Sequence, residues 1–161
     1  MSIRGSITIE CDQKDCRAEI VIEAIQSEQL PRTVVFGYHI PPLVEMNRLV
    51  QAAGLRSGII SGATSLPERN RLQDEFRRGT LEVVFAQIIA AGTAIDLSAA
   101  RHGYFLERDW VPGNNLQAAN RLISMDKPDP VTFDMVTWPG SVDDRVSRIV
   151  DRREQEINQL F

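Results

Sequence analysis

Short apolar runs rich in β-branched residues alternate with longer amphipathic stretches along most of this chain. That alternation restricts the folds open to it more than any single motif does. Thr33 to Phe36, Gly58 to Ile60, Leu81 to Ala86, Tyr104 to Leu106 and Val131 to Val136 read as strands. Several are apolar at successive positions, the pattern of a parallel sheet covered on both faces. Between them, Leu43, Met46, Val50 and Ala53 recur at helical spacing, as do Val142, Val146, Ile149, Ile157 and Leu160. Pro41-Pro42 opens the first of these helices. Ser65-x-x-Glu68, with Pro67 inside the first turn, is a capping-box pattern, and Ser141-x-x-Asp144 starts the last helix in a similar way. Arg17 to Gln29 reads as a helix leading into the first core strand. The expected fold is α/β: three layers, with a mostly parallel central sheet between helices on both faces.

Residues 1–13 break the rhythm and read as a stray strand over Ser6 to Glu10, a linker or a cloning remnant. They leave 14–161 as one domain, long enough to bury a substantial core. No stretch approaches the length of a membrane span and Met1 opens no signal peptide, so an intracellular protein without a membrane partner is expected. A formal net charge of −4 argues against broad, histone-like binding of nucleic acid, while leaving room for a local basic strip. Cys11 and Cys16 lack a second ligand pair, and His39 and His102 belong to no metal spacing, so reduced thiols and no metal site are expected.

Three loops carry the chemistry. Gly62-Ala63-Thr64 sits between a strand and a capped helix, where small residues let backbone N–H groups approach a phosphate and the Thr hydroxyl adds a donor. A plain capped turn would use the same residues. Ala90-Ala91-Gly92 exposes backbone after a buried strand, or is simply a tight strand-to-helix turn. Glu107-Arg108-Asp109-Trp110-Val111-Pro112-Gly113 runs from an acidic strand end through a turn into Gln117-Ala118-Ala119-Asn120-Arg121. Gln117 and Arg121 lie one helical turn apart on one face, where an amide and a guanidinium can hold a phosphate. A surface salt bridge is the commoner fate of a helical arginine. Trp110 is expected to pack beneath the turn.

Taken in order, Val34 to His39, Ser61 to Ser65 with Arg69 and Phe76, Ile88 to Ala100, Glu107 to Arg121, Lys127-x-x-Pro130-Val131 and Gly140 to Asp144 resemble the second RecA-like lobe of superfamily two helicases, in the form used by Swi/Snf-type DNA translocases. The resemblance runs from about Ala18 to the C-terminus. Glu107-x-x-Trp110-x-Pro112-Gly113 is closer to the annealing-helicase (HARP-like) and phage-borne branch than to the chromatin remodellers. It implies an ATP side made by Gly92, Ala94, Asp96, Gln117 and Arg121, with Arg121 catalytic. It implies a DNA side made by Tyr38, His39, Gly62, Ala63, Thr64, Ala90 and Ala91. The partners implied are the DNA phosphate backbone, read with little sequence preference, and an N-terminal RecA-like lobe. ATP and Mg²⁺ would be held only together with that lobe, since this sequence has no Gly-x4-Gly-Lys-Ser/Thr loop and no acidic Mg-binding box. The isolated chain is therefore not expected to turn over ATP.

The pattern departs from the family at Ser124, where a second arginine usually follows, and at Asp126 and Lys127, where Gly and Gln are usual. Losing an arginine finger costs about three to five orders of magnitude in rate, and Lys127 supplies a point charge in place of a bidentate fork. The alternative reading is thus a stand-alone degenerate lobe acting as a DNA-docking or protein-interaction module. A third is an unrelated α/β nucleotide-binding domain.

Overall fold

The computed structural model describes residues 2–3, 7–8, 16–27, 32–91, 95–123, 130–137 and 140–159, with backbone alone for the residues up to Cys16. The apolar runs become strands β3 (Thr33–Gly37), β4 (Ser57–Ile60), β5 (Val83–Gln87), β6 (His102–Phe105) and β7 (Thr132–Thr137). Two short pieces, β1 (Ser2–Ile3) and β2 (Ile7–Thr8), precede them. The helices are α1 (Cys16–Ser27), α2 (Ile40–Ala52), α3 (Leu66–Arg78), the single turn α4 (Ile88–Ala91), α5 (Pro112–Asn120) and α6 (Val142–Asn158).

Among the described residues every strand pairing is parallel, and the main order is β7-β6-β3-β5-β4. Both N-terminal pieces add to β7, Ser2 opposite Thr132 and Ile7 opposite Val136. The described part of the expected stray strand, Ile7–Thr8, thus pairs with β7.

Side chains alternate across the pleat and bury both faces. Val34, Phe36, Val84, Ala86, Phe105 and Phe133 point to the face covered by Leu72 and Phe76 of α3 and by Ala118 and Ala119 of α5. Val35, Val83, Phe85, Tyr104 and Leu106 point to the face covered by Val21 and Ile25 of α1 and by Leu43, Met46 and Val50 of α2. This explains why the strands read as unbroken apolar runs.

The caps follow the sequence signals. Ser65 Oγ accepts from the Glu68 N–H and Ser141 Oγ accepts from the Asp144 N–H. Asp144 reaches back to accept from the Gly140 N–H at 3.0 Å. That bond, then the Arg148 guanidinium, holds the Asp144 carboxyl below the usual range. Its contribution to the α6 terminus is therefore present above the ordinary carboxylate pKa and is lost as pH falls through the lowered value. Helix α6 buries Val146 and Val150, whereas Val142 and Ile157, assigned to the same apolar stripe by spacing, are exposed.

Gly103 is among the glycines fixed by packing. A Cβ at Gly103 would lie 2.7 Å from the Phe133 ring and 3.2 Å from Leu122, both buried. A Cβ at Gly113, in the first turn of α5, would meet nothing. Gly103→Ala is expected to destabilise the chain by about 1–3 kcal/mol through overpacking. Gly113→Ala is expected to be neutral or to stabilise it by up to about 1 kcal/mol. Urea denaturation of the two variants beside the parent checks both, and equal midpoints for Gly103→Ala and the parent would refute the packing argument.

Candidate nucleotide and nucleic-acid surface

In open α/β sheets the ligand crevice lies at the carboxyl ends of the strands, where neighbouring connections leave on opposite faces. Here β3 is the strand that differs. Its connection, α2, covers one face, while α3, α4 and α5 contribute to the core on the other. The expected site residues Tyr38 and His39 follow β3 directly.

That loop is clamped from both sides. The buried carboxylate of Glu107, just past β6, accepts from the Tyr38 N–H at 3.0 Å and the His39 N–H at 2.8 Å. Its other oxygen lies 3.1 Å from His39 Nδ1. His39 is the N-cap of α2 and makes no side-chain cap of its own, so Glu107 does the capping from the neighbouring strand. From the opposite neighbour, Gln87 at the end of β5 donates from Nε2 to the Tyr38 carbonyl at 3.3 Å. Beside Glu107, Arg17 donates to Asp143 at 2.9 Å and to the Leu106 carbonyl. Burial is the largest influence on the Asp143 carboxyl and pushes it above the usual range, against the pull of Arg17.

Gln87 also reaches the second expected loop, where its Oε1 accepts from the Gly62 N–H at 3.1 Å. The rest of that loop is bonded within itself. Ala63 N donates to Ser61 Oγ, Thr64 N donates to the Ser61 carbonyl, and Thr64 Oγ1 accepts from Ser61 N at 2.9 Å. Arg69 Nη2 holds the Ser61 carbonyl at 3.3 Å and the Thr64 carbonyl at 3.5 Å. Gly62, Ala63 and Thr64 are thus brought beside Tyr38 and His39, and their N–H groups have partners inside the protein.

The third loop differs from expectation. Residues 88–91 form a helical turn in which Ala90 and Ala91 are buried, so the exposed residue is Ile89. The backbone expected to stand open there is covered because α4 packs on α5. Gly92 and Ala94 lie outside the described residues, as do Ser124, Asp126, Lys127 and Cys11.

Arg121 sits at the C-cap of α5 with helical backbone, so Gln117, which is exposed, shares its face as the spacing required. Its Nε donates to the Ala91 carbonyl at 2.9 Å, and its own carbonyl accepts from Leu97 N at 3.1 Å. One residue therefore brackets both ends of the Ala-Gly segment. Asp96 is exposed; its N–H donates to Gln73 at 2.7 Å, its Oδ1 accepts from Ser98 N, and its Oδ2 lies 3.8 Å from Arg77. It adjoins the Leu97 link to Arg121, with its side chain turned toward α3.

Trp110 is 42 % exposed and does not pack under the turn. The turn is locked by Asp109 and Asn115, both buried. Asp109 N donates to Asn115 Oδ1, Asn115 Nδ2 returns to the Asp109 carbonyl, and Asp109 Oδ1 accepts from Val111 N. Gln87 and Asn115 are residues whose roles sequence reasoning missed. A polar side chain closing the run Val83 to Ala86 was the available signal for Gln87.

Removing the Glu107 carboxylate should loosen the β3 end. Glu107→Ala leaves two N–H donors without their acceptor and is expected to cost on the order of 2 kcal/mol. Glu107→Gln, which keeps an acceptor, should cost less. Urea midpoints check the order, and an Ala variant as stable as the parent would show that the clamp is idle.

Comparison with known proteins agrees with this geometry. Residues 16–126 match the family model described as the helicase conserved C-terminal domain. The helicase-like transcription factor CHR27 of Arabidopsis thaliana is 23% identical over 136 residues, covering 84% of this chain and 13% of that protein. The human DNA annealing helicase and endonuclease ZRANB3 is 27% identical over 132 residues, covering 81% of this chain and 12% of that protein. The chain thus spans only a small part of the length of these relatives. Among solved structures, the E. coli DEAD-box protein SrmB, bound to regulator of ribonuclease activity A, superposes with a TM-score of 0.79 at 16% identity, covering 95% of this chain and 86% of that one. The C-terminal part of the Fun30 ATPase domain gives 0.75 at 17% identity, covering 84% and 44%. These likenesses establish the RecA-like fold. The family match, which takes in more than half of the sequence, establishes descent: the chain belongs to the helicase conserved C-terminal domain family, with SWI/SNF-type helicases among its relatives.

Proposed function

We propose that this domain is the second lobe of an ATP-dependent DNA translocase or helicase, supplying half of an ATP site and one lip of a DNA track. The observation that carries the reading is that Gln87 ties the Tyr38–His39 and Gly62–Thr64 loops together at the carboxyl ends of β3, β4 and β5, while the family helix that ends in Arg121 is tied to the Ala91 carbonyl, four residues beyond Gln87. The annealing-helicase branch, whose members include phage-borne proteins, fits the Glu107-x-x-Trp110-x-Pro112-Gly113 run best. Such a protein would work inside the cell.

The residues fit a phosphate-handling role with different directness. Arg121 is half-buried and held through Nε, which fixes the direction in which its two terminal nitrogens project. A guanidinium held in this way stabilises charge on a transferring phosphoryl group without reorganising at the moment of reaction. Gln117, one turn earlier and exposed, orients the same cluster. ATP with Mg²⁺ supplies the phosphoryl chemistry when bound, and the groups that hold it belong to a first lobe. On the DNA side, Gly62 is open, since an added Cβ would meet only Gln87 Oε1 at 3.7 Å. That leaves room for a phosphate to approach the turn beside the Gln87 carboxamide without displacing it. Contacts to phosphate carry little base sequence information.

A second reading, a lobe that docks without catalysis, is favoured by Ser124 in place of an arginine. The two separate on kinetics. With a first lobe supplied in the full protein, Arg121→Ala should lower DNA-stimulated ATP turnover by about a thousand-fold or more. The isolated 161-residue chain should show none. Steady turnover by the purified chain, lost on Arg121→Ala, contradicts the half-site assignment. Silence of Arg121→Ala in the full protein favours the docking module.

Duplex binding by the isolated chain should be weak, indifferent to sequence and strongly reduced between about 50 and 200 mM salt. Thr64→Ala should weaken it further. Titration of labelled duplexes of unrelated sequence is the check, and tight binding that discriminates among them or resists salt contradicts a phosphate-docking lip.

A further inference from the structure

Within the Ser61–Thr64 turn the hydrogen bonds fall into two kinds. Ala63 N and Thr64 N are satisfied by Ser61, and Thr64 Oγ1 is engaged by Ser61 N. Those bonds are local and would form in any chain with this sequence. Gly62 N differs, because its acceptor is the side chain of Gln87, which comes from another strand. The other end of the same carboxamide donates to the Tyr38 carbonyl. One planar group thus joins two loops that are 25 and 49 residues distant from it in sequence. Tyr38 C=O and His39 N–H share one peptide unit, and that N–H is held by Glu107. Gln87 and Glu107 therefore grip opposite edges of the same peptide plane. Turning that plane breaks both bonds, and moving Gly62 pulls on the plane through Gln87.

We propose that Gln87 is the positioning residue of the nucleic-acid rim, setting the separation of the Tyr38–His39 and Gly62–Thr64 loops so that they meet successive phosphates as one surface. The inference rests on the reading that this rim contacts DNA, and it adds a residue and a coupling that this reading does not contain. A carboxamide suits the task because one planar group offers both an acceptor and a donor. Methionine matches its length with neither. Glutamate keeps the acceptor for Gly62 N–H, loses the donor to Tyr38 and adds a charge that repels phosphate. Gln87 is only partly buried, so neither change should greatly alter global stability.

The test has two arms. In the first, amide resonances of the chain are recorded for Gln87→Met and Gln87→Glu. Gln87→Met should shift both the Gly62 and the His39 amides and raise the exchange rate at Gly62. Gln87→Glu should shift His39 while leaving Gly62 protected. In the second arm, duplex affinity is measured on the protein carrying both lobes for Gln87→Met, Thr64→Ala, His39→Ala and the paired doubles. Gln87→Met should weaken binding roughly ten-fold, because the two loops lose the tie that sets their separation. Its melting temperature should stay near the parent's, and its effect should be non-additive with each loop variant.

If Gln87→Met leaves either amide unmoved, or adds independently to Thr64→Ala and His39→Ala, the positioning role is overturned. If both amides move together but no variant, nor the parent, binds duplex, the coupling stands and the DNA reading of the rim falls.

Discussion

The arrangement of this site depends on how the chain leaves strand β3. In a parallel sheet each strand end presents a row of peptide groups that the sheet no longer satisfies, and a helix N-terminus adds more. Here α2 begins with Ile40-Pro41-Pro42, three residues without a capping side chain. The missing partners come from the two neighbouring strands: Glu107 beyond β6 takes the Tyr38 and His39 N–H groups, and Gln87 at the end of β5 takes the Tyr38 carbonyl. Without those side chains the topological crevice would be an unsatisfied gap. With them it becomes a defined rim.

The proposed ATP side follows a similar logic. Arg121 joins the Ala91 carbonyl on one side of the Ala-Gly segment to Leu97 N on the other. Its backbone and side chain thereby couple the end of α5 to the α4 turn. Under the proposed function, a nucleotide touching Arg121 would act on residues 91 and 97 together. Gln87 ends the strand that leads into α4, so a physical path from that turn to the proposed nucleic-acid rim runs through residues 87–91. The path is contiguous, and a coupling free energy between the two sites is what would make it a transmission.

Much of the fold was legible because burial on two faces writes itself into sequence as unbroken apolar runs. Caps were legible because Ser65-x-x-Glu68 and Ser141-x-x-Asp144 are local patterns with local partners. What escaped were contacts made at long range by single polar residues. Nothing in the sequence around Gln87 tells which loops its carboxamide reaches. Trp110 was expected to anchor its turn because it is large and apolar, yet the reciprocal bonds of Asp109 and Asn115 do that work and leave the indole exposed. Ala90 and Ala91 were expected to stand open because they are small. Small residues equally permit close packing, and both are buried in the α4 turn that packs on α5. The spacing of Gln117 and Arg121 survived intact, since helical periodicity is the most dependable of these signals.

The most direct measurement is amide hydrogen exchange on the protein containing both lobes, with duplex DNA and a non-hydrolysable ATP analogue added separately and together. The account predicts that duplex slows exchange at residues 38–39 and 61–64, and that nucleotide slows it at residues 91 and 121. Protection confined to the far side of α5 and α6, with the rim unchanged by either ligand, would contradict it.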